Sequence, residues 1–413
     1  MRAIAQWIVA GCLLGISNLA ASDDLPASPN CEWFECTANV QSLLYGTATD
    51  RREDSVLNPG NAVARIPRTS EASELRPNFG ATSDYFTTSL QPRLYYEADQ
   101  GADPPSRGWD AFLREGAVRL KPTQETSLTA GRQVLSWGPA YFRSPSNPYY
   151  FDSARDNPIQ EISGLDAITA GFAPDASASV TAAYVSHREH ASPNTATSAM
   201  PTHDSALVKV TRNGDAYSAD FDAARFAGGN MFYGASAQFT ATDAILVYGE
   251  ASSYRRYNEL VPLSGSTPFK VQALSNRRTD WLLGSGYTFA NDQSVYVEYL
   301  SYGHGYSEDS ERQYFASAAL DPGTALGLAP PLLGRQYLHL RWQNNPASEG
   351  HWELLGSSNL QDSSLQLAGY YEGNLTSRVS LVSVASIGVG GRNTEYVSLI
   401  RHTIRAGFKL YLF

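Results

Sequence analysis

The sequence predicts an all-β protein, a transmembrane antiparallel up-and-down β-barrel of about sixteen strands, with fourteen or eighteen as the neighbouring counts. Three observations predict it: a closing segment with two unlike faces, an export leader with no membrane helix behind it, and connections that alternate short and long. In Arg401 to Phe413, Ile404, Ala406, Phe408, Leu410 and Leu412 share one parity, while Arg401, Thr403, Arg405, Gly407, Lys409 and Tyr411 share the other. Successive side chains of a strand point to opposite faces, so this segment is apolar on one side and cationic on the other. Strict alternation turns Leu412 outward and Phe413 inward. A bulge near Gly407, or a frayed last residue, would return the terminal aromatic to the apolar face.

Met1 to Ser22 has the pattern of a cleaved secretory signal: Arg2, an apolar stretch from Trp7 to Ile16, and small Ala20 and Ser22 before Asp23. Val9-Ala10-Gly11-Cys12 imitates a lipoprotein acceptor, but the apolar run before Cys12 is too short for one. After the leader, eighteen apolar residues nowhere run together, which speaks against a helical membrane protein. The chain carries 24 Tyr, 16 Phe and 7 Trp, a supply that suits the aromatic girdles of a membrane barrel. A net charge of -10 argues against a nucleic-acid partner. Cys31 and Cys36, in CEWFEC, read as a small disulfide loop in an oxidising compartment, with a metal-binding pair as the alternative.

Alternating segments are expected near 85–97, 110–121, 124–136, 162–173, 177–189, 204–213, 215–226, 230–240, 244–257, 278–290, 293–304, 335–343, 350–359, 363–372, 376–388 and 396–412. The clearest sets Arg335, Tyr337, His339 and Arg341 against Gln336, Leu338, Leu340 and Trp342. In 110–121 the pattern slips around Arg114, as a bulge would make it. Counting back from the C-terminus, the short connections 121–124, 174–177, 213–215, 241–243, 291–292 and 373–376 fall at one end, the periplasmic one. The long connections 98–109, 137–161, 190–203, 258–277 and 305–334 fall at the other. The short link Gly228-Gly229-Asn230 and the longer 344–349 depart from this sorting. Residues 23–84 lack sustained periodicity and read as a periplasmic extension or plug, with the barrel at 85–413.

The segment Gly131 to Gly171 is the candidate for specificity. It contains Gly131-Arg132-Gln133, Trp137-Gly138, Ser144-Pro145 with Pro148, and Gly164 with Asp166-Ala167. In these features it resembles a broad set of porin-like outer-membrane proteins akin to the alginate-export barrels. The resemblance covers roughly forty residues and implies a membrane barrel. Independently of it, the prolines stiffen the loop, and Tyr141, Phe142, Tyr149, Tyr150 and Phe151 give it area to bury. Such a loop can fold into the lumen and narrow it, with Arg143, Asp152, Arg155 and Asp156 lining the opening; packing on the rim is the other outcome.

With the polar parity inward, Arg93, Arg401, Arg405 and Lys409 form a basic wall on the first and last strands, and Asp220, Asp222, Glu250 and Glu298 an acidic wall across from it. Opposed walls of this kind set up a transverse field that favours dipolar hydrophilic solutes, unless the charges pair locally, as Arg341 beside Glu298 would. His187, His190 and His203 share one predicted outer loop, but their spacing is not that of a metalloprotease helix and they read as solvated histidines. No catalytic constellation assembles, and no cofactor or metal is expected. The expectation is a passive, water-filled porin for small hydrophilic solutes in the outer membrane of a Gram-negative bacterium. Its expected partners are outer-membrane lipid, a small solute, and the barrel-assembly machinery acting on the C-terminal strand, with homo-oligomerisation left open. The alternatives are an exporter or hydrophobic-solute channel gated by the N-terminal segment, and a structural or surface-binding barrel with a filled lumen.

Overall fold

The computed structural model describes residues 30–31, 34–101, 105–152, 154–155, 159–186, 204–255, 258–273 and 276–412, with only the backbone of residues 30, 31 and 34. The leader, the side chain of Cys31, Asp156, His187, His190, His203 and Phe413 lie outside the described residues.

Eighteen strands close on themselves. The first six are β1 (Phe34–Arg51), β2 (Thr69–Thr82), β3 (Phe86–Gln100), β4 (Arg107–Leu120), β5 (Thr126–Gln133) and β6 (Leu165–Asp175). They continue as β7 (Ala178–Ser186), β8 (Ser205–Asn213), β9 (Tyr217–Phe226), β10 (Met231–Thr242), β11 (Ile245–Tyr254) and β12 (Arg278–Thr288). The last six are β13 (Ser294–Tyr302), β14 (Gln336–Gln343), β15 (Gly350–Asn359), β16 (Ser364–Thr376), β17 (Val379–Val389) and β18 (Ile400–Tyr411). Each pairs antiparallel with its sequence neighbour, and β1 pairs with β18 to shut the ring. Closure removes the unpaired edges that an open sheet would present.

All sixteen expected strands are present, and the count rises to eighteen because β1 and β2 lie inside residues 23–84. The wall therefore begins at Phe34, which corrects the reading of that stretch as an extension or plug ahead of a barrel starting at residue 85. An even number of added strands leaves the sorting of the ends intact. Short turns such as 83–85, 176–177, 243–244 and 377–378 share one end, and 52–68, 134–164, 255–277 and 303–335 the other. The slip at Arg114 is a bulge: Gln91 faces Glu115 and Pro92 faces Leu113, leaving Arg114 as the extra residue. The register of β18 on β1 runs without a break through Gly407 opposite Tyr45, so no bulge occurs there. Gly407 is needed because a Cβ would lie 2.0 Å from the Leu44 carbonyl oxygen.

The two faces divide as the parity requires. On β14 the alternation is complete, with Tyr337, His339, Arg341 and Gln343 buried inward and Gln336, Leu338, Leu340 and Trp342 exposed outward. From β2 to β18 every strand exposes a large apolar side chain, among them Phe79, Leu94, Ile168, Phe221, Leu283, Leu340, Leu367 and Phe408. A continuous apolar belt of this kind is costly in water and matches hydrocarbon. Among the described residues no helix is long and apolar enough to cross a membrane.

At the long-loop end the 303–335 connection carries helices α1 (Glu308–Ala318) and α2 (Pro322–Gly327). Ser307 caps α1, and Glu308, Asp309 and Glu311 fill its first turn, where acidic side chains suit the helix dipole. Tyr314, Phe315 and Ala318 of α1 pack with Leu57 from the β1–β2 loop and with Leu260 and Phe269 from a short hairpin between β11 and β12. Those two loops rise from opposite sides of the ring, so their contact forms a cap across the mouth.

Candidate functional site

Residues 134–164, between β5 and β6, fold into the lumen rather than over the rim. Local sequence explains the shape. The Asn147 Oδ1 accepts from the Tyr149 and Tyr150 amides at 2.8 and 2.9 Å, and its Nδ2 donates to the Leu135 carbonyl at 3.0 Å. The Asx turn sends the three aromatics that follow into the wall, Tyr149 and Tyr150 packing with Val185, Leu207, Phe226 and Phe232, and Phe151 with Tyr302. Gly138 has φ +93, and a Cβ there would lie 2.4 Å from Glu250 Oε1, so both the turn and the close approach to the wall require glycine.

The loop crosses from wall to wall. Toward β11 and β13 its anchors are the two buried carboxylates, Glu250 and Glu298. Glu250 accepts from the Ala140 amide (2.9 Å), the Ser144 hydroxyl (2.7 Å), and the Ser146 amide (3.1 Å) and hydroxyl (2.8 Å). Glu298 accepts from the Tyr141 and Phe142 amides, both at 2.7 Å, and from the Tyr248 hydroxyl at 2.7 Å. Ala140, Phe142 and Phe151 pack there on Tyr248, Leu282, Leu300, Tyr302 and Tyr337 of the wall.

Toward β2, β3 and β4 the chemistry reverses. Glu161, near the end of the loop, receives Arg93 Nε at 2.6 Å and Nη2 at 2.9 Å, with Arg76 Nε at 3.7 Å and Arg114 Nε at 3.5 Å. Burial works to raise the Glu161 carboxyl, but the Arg93 hydrogen bond and the charges of Arg76, Arg93 and Arg114 outweigh it and hold the group below its ordinary value. Arg76 also donates to the Ile159 carbonyl at 2.8 Å and to Glu74 at 2.7 Å. Ile159 packs with Leu43, Tyr45, Tyr95, Tyr370 and Val382, so the loop reaches β1, β3, β16 and β17 as well.

Of the expected basic wall, Arg401, Arg405 and Lys409 lie on β18, but Arg93 lies on β3 rather than on the strand that closes against β18, because β1 and β2 come between, and most of the charges are engaged rather than bare. Arg93 is 1% exposed and bound to Glu161. Lys409 donates to both carboxylate oxygens of Glu372, at 2.8 and 2.7 Å. Arg405 lies 4.8 Å over the Tyr45 ring and donates to the Thr47 hydroxyl. Arg401 sits at the rim, half exposed, 3.7 Å from Asp50 and 3.9 Å from Asp54. Across the lumen Asp220 pairs with Lys209 at 3.0 Å, and Asp222 is fully buried beside Gly234. Arg341 pairs with Glu353 at 2.8 Å, not with Glu298. Two walls of open charge are thus corrected to a lumen in which most charge is engaged, because the inserted loop consumes Glu250, Glu298 and Arg93. Among the described residues, the buried Asp222 carboxylate keeps no hydrogen-bond partner on either oxygen.

Within the loop Arg143 lies 3.6 Å from Asp152 and 4.6 Å over the Phe142 ring. Arg155 donates to the Gly138 and Ala140 carbonyls at 2.7 and 3.1 Å. Arg155 also borders a cavity of about 480 Å³ between the loop and β9–β11, together with Trp137, Tyr141, Asp220 and Gln238. A larger hollow of about 640 Å³ lies at the β1–β18 rim, around Asp50, Asp54, Arg68 and Arg401, away from the constriction. Cys36 is disulfide-bonded. Sequence reasoning missed Glu161, Arg76 and Arg114. The slip at Arg114 was the one available signal, since the bulge is what aims its guanidinium at Glu161.

No family model matches the sequence, and no curated protein matches it. Solved structures do share its fold. OccK8 (OprE) of Pseudomonas aeruginosa is similar with a TM-score of 0.56 and 8% identity, over 92% of this chain and 98% of that one. OccD3 (OpdP) of the same organism gives 0.54 and 10%, over 92% of each. Wzi of Escherichia coli, described as an outer-membrane protein of group 1 capsule assembly and a carbohydrate-binding β-barrel, gives 0.53 and 12%, over 90% of this chain and 84% of that one. At these identities the likeness concerns the barrel fold.

Proposed function

We propose that the protein is an outer-membrane porin that passes small hydrophilic solutes down their gradient through a lumen narrowed by residues 134–164. The observation that carries this reading is a closed barrel with an apolar exterior whose interior is crossed by a loop fastened to opposite walls. A fastened loop sets a fixed aperture, and selection then depends on width and lining charge. The paired lining, Lys409 with Glu372, Lys209 with Asp220 and Arg341 with Glu353, offers hydrogen bonds to a polar solute without a net field of one sign. The export leader fits an outer-membrane destination, with the short turns in the periplasm and the long loops outside. Purified protein in a planar bilayer tests the reading: ohmic single-channel steps support it, and silence contradicts it.

A second reading, a surface-binding barrel with a filled lumen, is favoured by one observation: the loop and the cap bury most inward side chains of β9 to β15. The Wzi structure, described as carbohydrate-binding, gives that reading a ligand class to try. Saccharide binding by a barrel that does not conduct would support it. An N-terminal gate is not retained for residues 34–82, because β1 and β2 belong to the wall.

A further inference from the structure

Three carboxyl groups from three separate loops meet beneath the cap. Glu311 comes from α1, Asp362 from the β15–β16 turn, and Glu395 from the β17–β18 loop. The Asn359 Nδ2 donates to Glu311 Oε1 and to Glu395 Oε2, both at 2.9 Å. The Tyr337 hydroxyl donates to Glu395 Oε2 at 2.6 Å, and the Leu333 amide donates to Glu395 Oε1 at 2.9 Å. The Glu395 amide in turn donates to Asp362 Oδ2 at 2.6 Å. Glu311 is 3% exposed and has the Asp362 and Glu395 carboxyls as near neighbours, a grouping of acids that is eased while Glu311 holds a proton.

Among the described residues the surroundings supply no cation. Tyr314 and Tyr396 complete the ring of acidic or neutral neighbours. The basic groups of the adjoining elements are occupied elsewhere: Arg312 pairs with Asp309, Arg335 Nε donates to the Gly305 carbonyl, and Arg52 Nε donates to the Val397 carbonyl. Arg392 is exposed. Among the described residues none of the three carboxyls has a basic partner within ion-pair distance.

We propose that Glu311, Asp362 and Glu395 form a proton-operated latch, which clasps the α1 cap over the long-loop mouth and lets it loosen in alkaline medium. The three loops are held together only while the cluster keeps protons. Once it is fully ionised, like charges with no cation between them push α1 away from Asp362 and Glu395. Burial, followed by the neighbouring carboxylates Asp362 and Glu395, pushes Glu311 up to about 9. Burial pushes Glu395 up to about 7, with Asp362 adding to it against the Tyr337 hydrogen bond. Both groups release protons when the loops separate, so closure is strongest in acid and is lost as pH rises through about 7 and then about 9.

The test is amide exchange of residues 308–318 in the whole refolded barrel at about pH 6 and about pH 9.5, corrected for the chemical exchange rate and run beside bilayer conductance. The latch predicts that protection of α1 falls about tenfold or more between these conditions, one proton release displaced by one unit being worth that factor. In Glu311→Gln with Glu395→Gln, protection should be the same at both. Glu395→Gln alone, which keeps the Tyr337 and Asn359 contacts in shape, should move the midpoint upward toward the Glu311 release. Equal protection of the wild-type helix at both pH values, or an undiminished pH response in the double variant, overturns the latch. Its consequence for flow rests on the porin reading, but the exchange readout does not. A barrel that never conducts yet frees α1 in alkali would refute the porin and keep the latch.

Discussion

The crossing loop is fastened by opposite chemistries on its two sides. Where it meets β11 and β13, the wall supplies the charge, Glu250 and Glu298, and the loop supplies neutral donors, four of them backbone amides. Where it meets β2, β3 and β4, the loop supplies the charge, Glu161, and the wall supplies Arg76, Arg93 and Arg114. The first arrangement tolerates change in loop side chains but depends on two residues of the wall. The second depends on a single residue of the loop and spreads the wall's share over three, of which Arg76 keeps Glu74 as a second partner. The two sides should therefore fail differently.

Replacing Glu250 and Glu298 together by alanine should have the largest effect. It strands several buried neutral donors with no water to replace the acceptor, at about 1–3 kcal/mol for each of them. Amide exchange at residues 140–146 should approach the rate of an undocked loop while the barrel keeps its β-sheet circular dichroism; retained protection would mean that these carboxylates do not hold the loop. Next comes a control on the outer face. Leu340→Arg puts a charge in the apolar belt and should lower barrel stability in lipid by about 2–4 kcal/mol, measured by urea titration in vesicles. An unchanged midpoint would show that Leu340 does not face hydrocarbon.

Glu161→Gln should cost about 2 kcal/mol, less than the double alanine variant, because the amide still accepts from one arginine and the group is partly wet. Exchange should rise at residues 159–164 and stay slow at 140–146. Loosening of both ends together would show the loop to be one unit rather than two separately held ends. The smallest change is expected for Lys409→Gln. Its pair with Glu372 is partly exposed, so stability should move by about 1 kcal/mol or less, while Glu372 becomes an unbalanced acid and raises the preference for cations. Reversal potentials across a salt gradient would check this.

The fold was legible wherever one face of a strand is greasy and the other wet. On β14, Leu338, Leu340 and Trp342 against His339 and Arg341 leave no other reading. The alternation fails on β1 and β2 for physical reasons. The inward Leu43 and Tyr45 of β1 are apolar because they pack on Ile159 of the loop, and the outward parity mixes Leu44 with the small Ser42, Gly46 and Ala48. On β2, Pro77 reads as a breaker, but it sits where the ladder to β3 is interrupted, near Pro92 and the Arg114 bulge, so no needed donor is lost. The site was legible in part. Parity identified Glu250 and Glu298 as inward and acidic, and aromatic content marked the loop as buryable. That the first would bind the amides of the second depends on three-dimensional register, which no local pattern of residue types encodes.

Single-channel conductance of the wild type beside the Glu250→Ala, Glu298→Ala variant tests the central claim most directly, namely that the fastened loop is what narrows the lumen. Small ohmic steps in the wild type, growing severalfold when the anchors are removed, are the predicted result. Steps of equal size in both, or silence in both, would contradict it.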